Sequence, residues 1–156
     1  MSRKVVILFF IFIFSAVFAQ NLQAQTSRKA VGAAEVNGTF RSYFGGKFKG
    51  SYSEIKILAL GKNKLKVRFD LTYPFVDGTG ELSANVGEAE GIAEISGDTA
   101  VFASEDEYGK CRITIKFVRP GEIKVTENSE NAGCGFGLNV TAAGTYKKTS
   151  GAKPAF

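Results

Sequence analysis

The chain of 156 residues has no histidine and no tryptophan, one methionine, three prolines and two cysteines. Without histidine the commonest general base is missing, and with it every Ser-His and Cys-His nucleophile arrangement. Two cysteines and no histidine leave a tetrahedral zinc site short of ligands, and the lack of a CxxC spacing excludes a thioredoxin-type redox centre. Long hydrophobic stretches are scarce. The longest apolar run, residues 5–18, has 14 residues, whereas a membrane-spanning helix needs about 20. No dense lysine and arginine stripe is present, so nucleic acid is not an expected partner. Neither the GxG element at Gly78 nor the one at Gly135 forms a phosphate loop.

The short apolar run is instead the centre of an export signal. Ser2, Arg3 and Lys4 precede it and Val17-Phe18-Ala19 follows with the small residues a signal peptidase accepts, so residues 1–19 read as a signal peptide cut after Ala19. A second site after Ala24 lies within reach. No cysteine stands near the cut, which excludes lipid anchoring there. The chain ends in Phe156, as outer-membrane barrels often do, but Lys153-Pro154-Ala155 lacks the alternation of a membrane strand. The expectation is an exported protein, periplasmic or extracellular, that does not span the membrane. Cleavage removes five of the 14 phenylalanines and two of the 20 basic residues, leaving 18 basic against 15 acidic residues, a mild net charge of +3. About 137 residues remain, a length that suits one domain.

Periodicity points to strands. Lys64-Leu-Lys-Val-Arg-Phe-Asp-Leu71 and Arg112-Ile-Thr-Ile-Lys-Phe117 alternate polar and apolar residues, the period of a strand buried on one face. Breaks with turn chemistry, such as Gly45-Gly46, Gly61-Lys62-Asn63, Ser96-Gly97-Asp98 and Pro120-Gly121, separate eight expected strands at 38–44, 51–60, 64–73, 85–95, 99–104, 110–118, 122–127 and 138–147. No segment has a strong claim to be a helix. The fold class is therefore all-β: a single small antiparallel barrel of about eight strands, closed so that no edge is left open, with a two-sheet β-sandwich as the alternative. Residues 20–34 read as a flexible lead-in, 35–148 as the β-barrel domain and 149–156 as a C-terminal tail.

Three finer expectations follow. Gly38-Thr39-Phe40 and Gly144-Thr145-Tyr146 echo each other at the two ends of the domain, as neighbouring strands at a closing seam would, with the rings packed across it. Lys64, Lys66 and Arg68 face outward on one strand and Glu88, Glu90 and Glu94 on the next, which predicts cross-strand ion pairs and not a basic stripe kept for an anionic partner. The inward set is Ile55, Ile57, Leu65, Val67, Phe69, Val101, Ile113, Ile115 and Phe117, large enough to fill the interior.

The only two cysteines, Cys111 and Cys134, are expected to pair in an oxidising compartment. With Pro120 and Gly121 as central turn residues, Cys111 faces Glu130, so residues 128–133 must fold back to bring Cys134 to it. Gly135 and Gly137 would let the backbone pass close to the bridge, with Phe136 covering the sulfurs.

The stretches Gly87-Glu-Ala-Glu-Gly-Ile-Ala93, Cys111-Arg-Ile-Thr-Ile-Lys-Phe117, Cys134-Gly-Phe-Gly-Leu-Asn-Val140 and Gly144-Thr-Tyr-Lys147 resemble a set of small exported bacterial β-proteins. The resemblance covers about 110 residues and implies export, one disulfide and a β fold; it implies no activity. More loosely, the architecture is similar to the periplasmic inhibitors of C-type lysozyme, eight-stranded barrels with a disulfide, although their inhibitory loop motifs are not found here.

The residues thus favour a non-enzymatic exported binding module, an inhibitor or an envelope interaction protein, with no cofactor and no metal. It would act through loops 74–84 and 128–137, with Phe75 and Phe136 as aromatic anchors on an envelope or extracellular protein. The alternative is a barrel carrying a small apolar ligand. An enzyme comes third, since Asp77, Glu81, Glu105, Asp106 and Glu107 read as solvated turn carboxylates and the segment from Asp77 to Glu81 falls short of a calcium loop.

Overall fold

A computed structural model describes residues 30–106, 109–128 and 134–156. Its elements are a one-turn helix α1 (Ala33–Val36) and strands β1 (Gly38–Tyr43), β2 (Tyr52–Gly61), β3 (Lys64–Val76), β4 (Leu82–Ser96), β5 (Thr99–Asp106), β6 (Gly109–Arg119), β7 (Glu122–Glu127) and β8 (Gly144–Ser150), with a 3-10 turn at Gly46–Phe48. Each strand pairs antiparallel with the next and β8 pairs with β1, giving a closed barrel. The barrel, and not the sandwich, is the fold. The expected signal peptide, residues 20–29 of the lead-in, Glu107 and Glu130 lie outside the described residues.

Alternation dictates the layering. Along β3, Leu65, Val67, Phe69 and Leu71 are buried while Lys66, Arg68 and Asp70 keep partial access to solvent. Ile113, Ile115 and Phe117 do the same on β6. Eight strands enclose a space that side chains fill, and here perpendicular ring pairs occupy it, Phe69 with Phe102 at 5.3 Å and Phe40 with Phe117 at 6.5 Å. Of the expected inward residues only Val101 is misplaced: β5 turns Ala100 and Phe102 inward and leaves Val101 half-buried outside. Phe102 is the larger apolar group, and Gly91 gives its ring a seat that a Cβ there would approach to 2.9 Å.

The remaining corrections have local causes. Residues 74–84 are not a long loop, because β3 runs on to Val76 and β4 starts at Leu82, with a tight turn between. Pro74 is tolerated there since the strand has already passed the start of β2, so no ladder bond needs its missing N–H. The last strand is Gly144–Ser150 and not 138–147, which also carries 149–150 out of the expected tail. Asn139, at φ 62°, breaks the extended path before it. The barrel seam joins β1 to β8 as expected, but Phe40 stands opposite Lys148 and not Tyr146. A bulge between Phe117 and Arg119 shifts the β6–β7 register by one, and the ladder stops at Ile113 and Glu127, short of Cys111.

Both barrel ends are stoppered. At one, α1 straddles the end of the expected lead-in, 20–34, and the start of the expected domain, inserting Val36 into the core with Val31 packed beside it. The Lys148 ammonium fastens this helix by donating to the carbonyls of Ala34 (3.1 Å), Glu35 (2.6 Å) and Asn37 (2.8 Å), groups that a helix end leaves without partners. The Asn37 side chain in turn accepts from the Ala59 amide at 2.6 Å. At the other end, residues 134–143 cross from β6 to β4 and back to β8.

Candidate interaction surface

The crossing segment begins at the disulfide. Cys111, buried in β6, is bonded to Cys134 with Cα atoms 4.5 Å apart. The ring of Phe136 then lies on Gly87 of β4, where a Cβ would come within 2.8 Å of it. The Gly137 amide donates to the Val86 carbonyl at 3.3 Å and the Asn85 side chain donates to the Leu138 carbonyl at 2.7 Å. Further on, the Glu127 carboxylate accepts from Thr141 Oγ1 (2.8 Å) and the Ala142 amide (2.9 Å), and the Tyr146 hydroxyl donates to the Ala142 carbonyl at 3.0 Å. Val140 and Ala142 are buried beneath. Among the described residues, the disulfide and these five hydrogen bonds hold this end shut.

Of the two expected anchors, Phe136 is half-buried and packed against the core. Phe75 is half-buried on β3 opposite Ser83. The structure does not bring the two into one exposed pair; among the described residues the solvent-exposed rings are Tyr43, Tyr52 and Tyr73, with Tyr43 58% accessible. The acidic candidates are dispersed. Asp77 and Glu81 flank the β3–β4 turn, whereas Glu105 and Asp106 are in β5. Asp77 Oδ1 accepts from the Thr79 hydroxyl (2.6 Å) and the amides of Thr79 (2.9 Å) and Glu81 (3.0 Å). These donors, the Thr79 hydroxyl foremost, hold its carboxyl below the usual range, so this carboxylate closes a turn.

The exposed groups that do assemble are on the outer face of β1 to β4. Tyr43 stands opposite Tyr52, their rings 5.6 Å apart, and Thr72 opposite Val86. Tyr52, Thr72 and Val86 line one shallow cleft, which joins the two pairs into a row. Leu82 extends it along the hairpin. The next row is charged: Arg41, Glu54, Asp70 and Glu88, each opposite the next. Arg41 Nε donates to Glu54 at 2.6 Å and its guanidinium lies 4.2 Å over the Tyr52 ring. A hydrogen bond with the Tyr43 side chain, and next the bond to Glu54, hold Arg41 protonated well above its ordinary range. Lys56 reaches Glu54 (3.6 Å) and Asp70 (3.9 Å), Arg68 reaches Asp70 (2.8 Å) and Glu88 (3.2 Å), and Lys66 reaches Glu90 (2.8 Å). The expected cross-strand pairing is thus present for Lys66 and Arg68, whereas Lys64 stands opposite Glu94 in the ladder.

Tyr43 and Tyr52 were missed as surface groups although the signal was available. With Phe40 inward, strand alternation sends Arg41 and Tyr43 out.

Among the described residues no helix is long and apolar enough to cross a membrane, and no group of three or more His, Cys, Asp or Glu side chains could hold a metal ion. Comparison with family models, curated proteins and solved structures returns no match for this chain.

Proposed function

We propose that the chain is an exported, non-enzymatic binding module for an envelope or extracellular protein, and that its contact surface is the outer row of Tyr43, Tyr52 and Val86 with the adjoining Leu82. The observation that carries this reading is the fixed state of the row. Arg41 is held between Tyr43, Tyr52 and Glu54, so two tyrosines and an arginine are presented with little conformational freedom left to lose on binding. Tyrosine and arginine are the side chains that dominate interface energies, and preorganisation lowers the cost of docking. The disulfide is compatible with export into an oxidising compartment. A carrier of an apolar small molecule would need interior space, and the inward positions hold fully buried Ile, Leu, Val, Phe and Tyr side chains.

The test is a pull-down from envelope extract with the oxidised chain from Gln20 onward, with C-type lysozyme added as a specific trial. The expected result is one stoichiometric partner whose affinity falls about 30-fold or more in Tyr43→Ala/Tyr52→Ala, with the urea midpoint nearly unchanged. Phe75→Ala and Phe136→Ala, run in parallel, separate anchoring from core packing. A partner retained by the double tyrosine variant, or a small apolar molecule copurifying in place of a protein, would overturn the reading.

A further inference from the structure

The outer row leaves one feature unused. β4 pairs with β3 from Glu94 opposite Lys64 to Leu82 opposite Val76, but with β5 only from Ala93 opposite Phe102 to Ser96 opposite Thr99. Toward the disulfide end the two strands diverge, and among the described residues the stretch 88–92 of β4 is paired on one side. The Val86 carbonyl accepts from Gly137 while the Ile95 amide donates toward the β3 side, to Asn63. Backbone groups alternate along a strand, so the N–H and C=O of Glu88, Glu90 and Ile92 aim into the split. On the other bank, the same alternation aims Ala103 and Glu105 of β5 toward them. A cleft on the outer face of the paired stretch, running from Ser96 and Thr99 past Glu94 and Val101, reaches the start of this split at Ile92 and Ala103.

We infer that the split between β4 and β5 is a docking site for an extended, basic peptide segment, which adds to the β4 edge as a strand. This extends the reading of the chain as a protein-binding module and rests on it. Three observations fix the occupant. The bond from Gly137 to Val86 shows that the edge accepts a backbone donor at the first position beyond the gap. The inward residues flanking the gap are Gly87, Ala89 and Gly91, which present no bulk, and the rings of Phe136 and Phe102 floor it as an apolar bed. The outward glutamates along the gap are Glu88, Glu90 and Glu105, whose side chains stay 69%, 38% and 72% exposed although Arg68, Lys66 and Lys110 already reach them, and their carboxylates complement lysine or arginine at alternate positions. β3 already supplies that pattern on the other side of β4, with Arg68 opposite Glu90 and Lys64 opposite Glu94. Main-chain bonds give such an edge its affinity and alternate side chains its selectivity.

The probe is a fluorescent octapeptide of alternating lysine and valine, titrated into the oxidised chain by anisotropy and followed by amide NMR. The expected result is saturable binding, with shifts concentrated at Glu88, Glu90, Ile92, Ala103 and Glu105. An otherwise identical peptide N-methylated at alternate residues should bind about tenfold or more weakly, since it cannot complete the ladder, and a glutamate-valine peptide should not bind. Equal affinity of the N-methylated peptide, shifts elsewhere on the barrel, or no saturation would each overturn the proposal. Tyr43→Ala/Tyr52→Ala should leave peptide binding intact, so failure of this edge and failure of the tyrosine surface are read separately.

Discussion

Replacing Tyr146 by phenylalanine removes one buried hydroxyl whose worth depends on pH in a way the structure specifies. Tyr146 is 1% accessible and its hydroxyl donates to the Ala142 carbonyl at 3.0 Å. At neutral pH the variant loses that bond and strands a buried carbonyl, a destabilisation of about 1 to 2 kcal/mol. Burial first, and the charge of Glu127 second, push the phenol above its ordinary value. The unfolded chain releases the phenol proton near pH 10 while the folded chain keeps it. Above pH 10 the native state therefore binds more protons, and the wild type loses stability as pH rises toward the raised folded value. At pH 11 that loss is about 1.4 kcal/mol. The advantage of wild type over Tyr146→Phe should then fall from about 1 to 2 kcal/mol at pH 7 to near zero at pH 11. Urea unfolding of both proteins by far-UV circular dichroism at several pH values measures this difference, in which the lysines common to both cancel. A difference that stays constant from pH 7 to pH 11 refutes the reasoning.

Cys111→Ala/Cys134→Ala opens a loop with a sequence separation of 23 and should lower stability by about 3.5 kcal/mol on the chain-entropy model, read from the urea midpoint. Gly87→Val drives a branched side chain into the seat of the Phe136 ring and should cost about 1 to 3 kcal/mol by overpacking, with amide exchange accelerated at Gly137 if the crossing segment lifts; unchanged exchange would contradict that contact. Lys148→Met removes the donor shared by three carbonyls around α1 and should cost about 1 to 2 kcal/mol. Limited proteolysis should then cut first just ahead of Asn37, and an unchanged cleavage pattern would argue against Lys148 as the fastener.

The barrel was legible because it rests on a two-residue period that any strand must show. The charged ladder between β3 and β4 was legible for the same reason, since Lys66, Arg68, Glu88 and Glu90 alternate in phase with the apolar residues beneath them. What failed to show was set by contacts between distant segments. The helix at Ala33–Val36 has only one turn and no capping side chain, and it exists because Lys148, far along the chain, collects its carbonyls. Val101 and Phe102 are both apolar, so alternation alone could not choose between them; the space above Gly91 did. Pro74 and Gly78 read as loop punctuation, yet β3 had already outrun β2, which left proline free to sit in a strand. Phe136 looked like an exposed anchor because its flanking glycines suggest a loop, whereas those glycines and Gly87 let its ring settle onto β4.

Closing a barrel normally disposes of its edges, and among the described residues this one keeps an edge because β4 is longer than its pairing with β5. An open edge of that kind invites a second copy, and the glutamates of β4 work against it. Antiparallel pairing of two β4 strands centred on any residue from 89 to 92 brings a glutamate against a glutamate: Glu88 against Glu90, Glu90 against itself, Glu88 against Glu94, or Glu90 against Glu94. Like charges directly opposite each other destabilise a strand pair, while a lysine-bearing strand in the same place meets opposite charge. The same residues should therefore control two outcomes with opposite sign. In Glu88→Thr/Glu90→Thr the lysine-valine peptide should bind more weakly and the protein should gain a concentration-dependent dimer in sedimentation velocity, weakened again by peptide added in excess. A double variant that binds less peptide yet stays monomeric would mean that the split is too narrow for a second barrel to approach and that the acidic residues serve selection alone. A variant that keeps full peptide affinity would mean that the charge argument for the occupant is wrong.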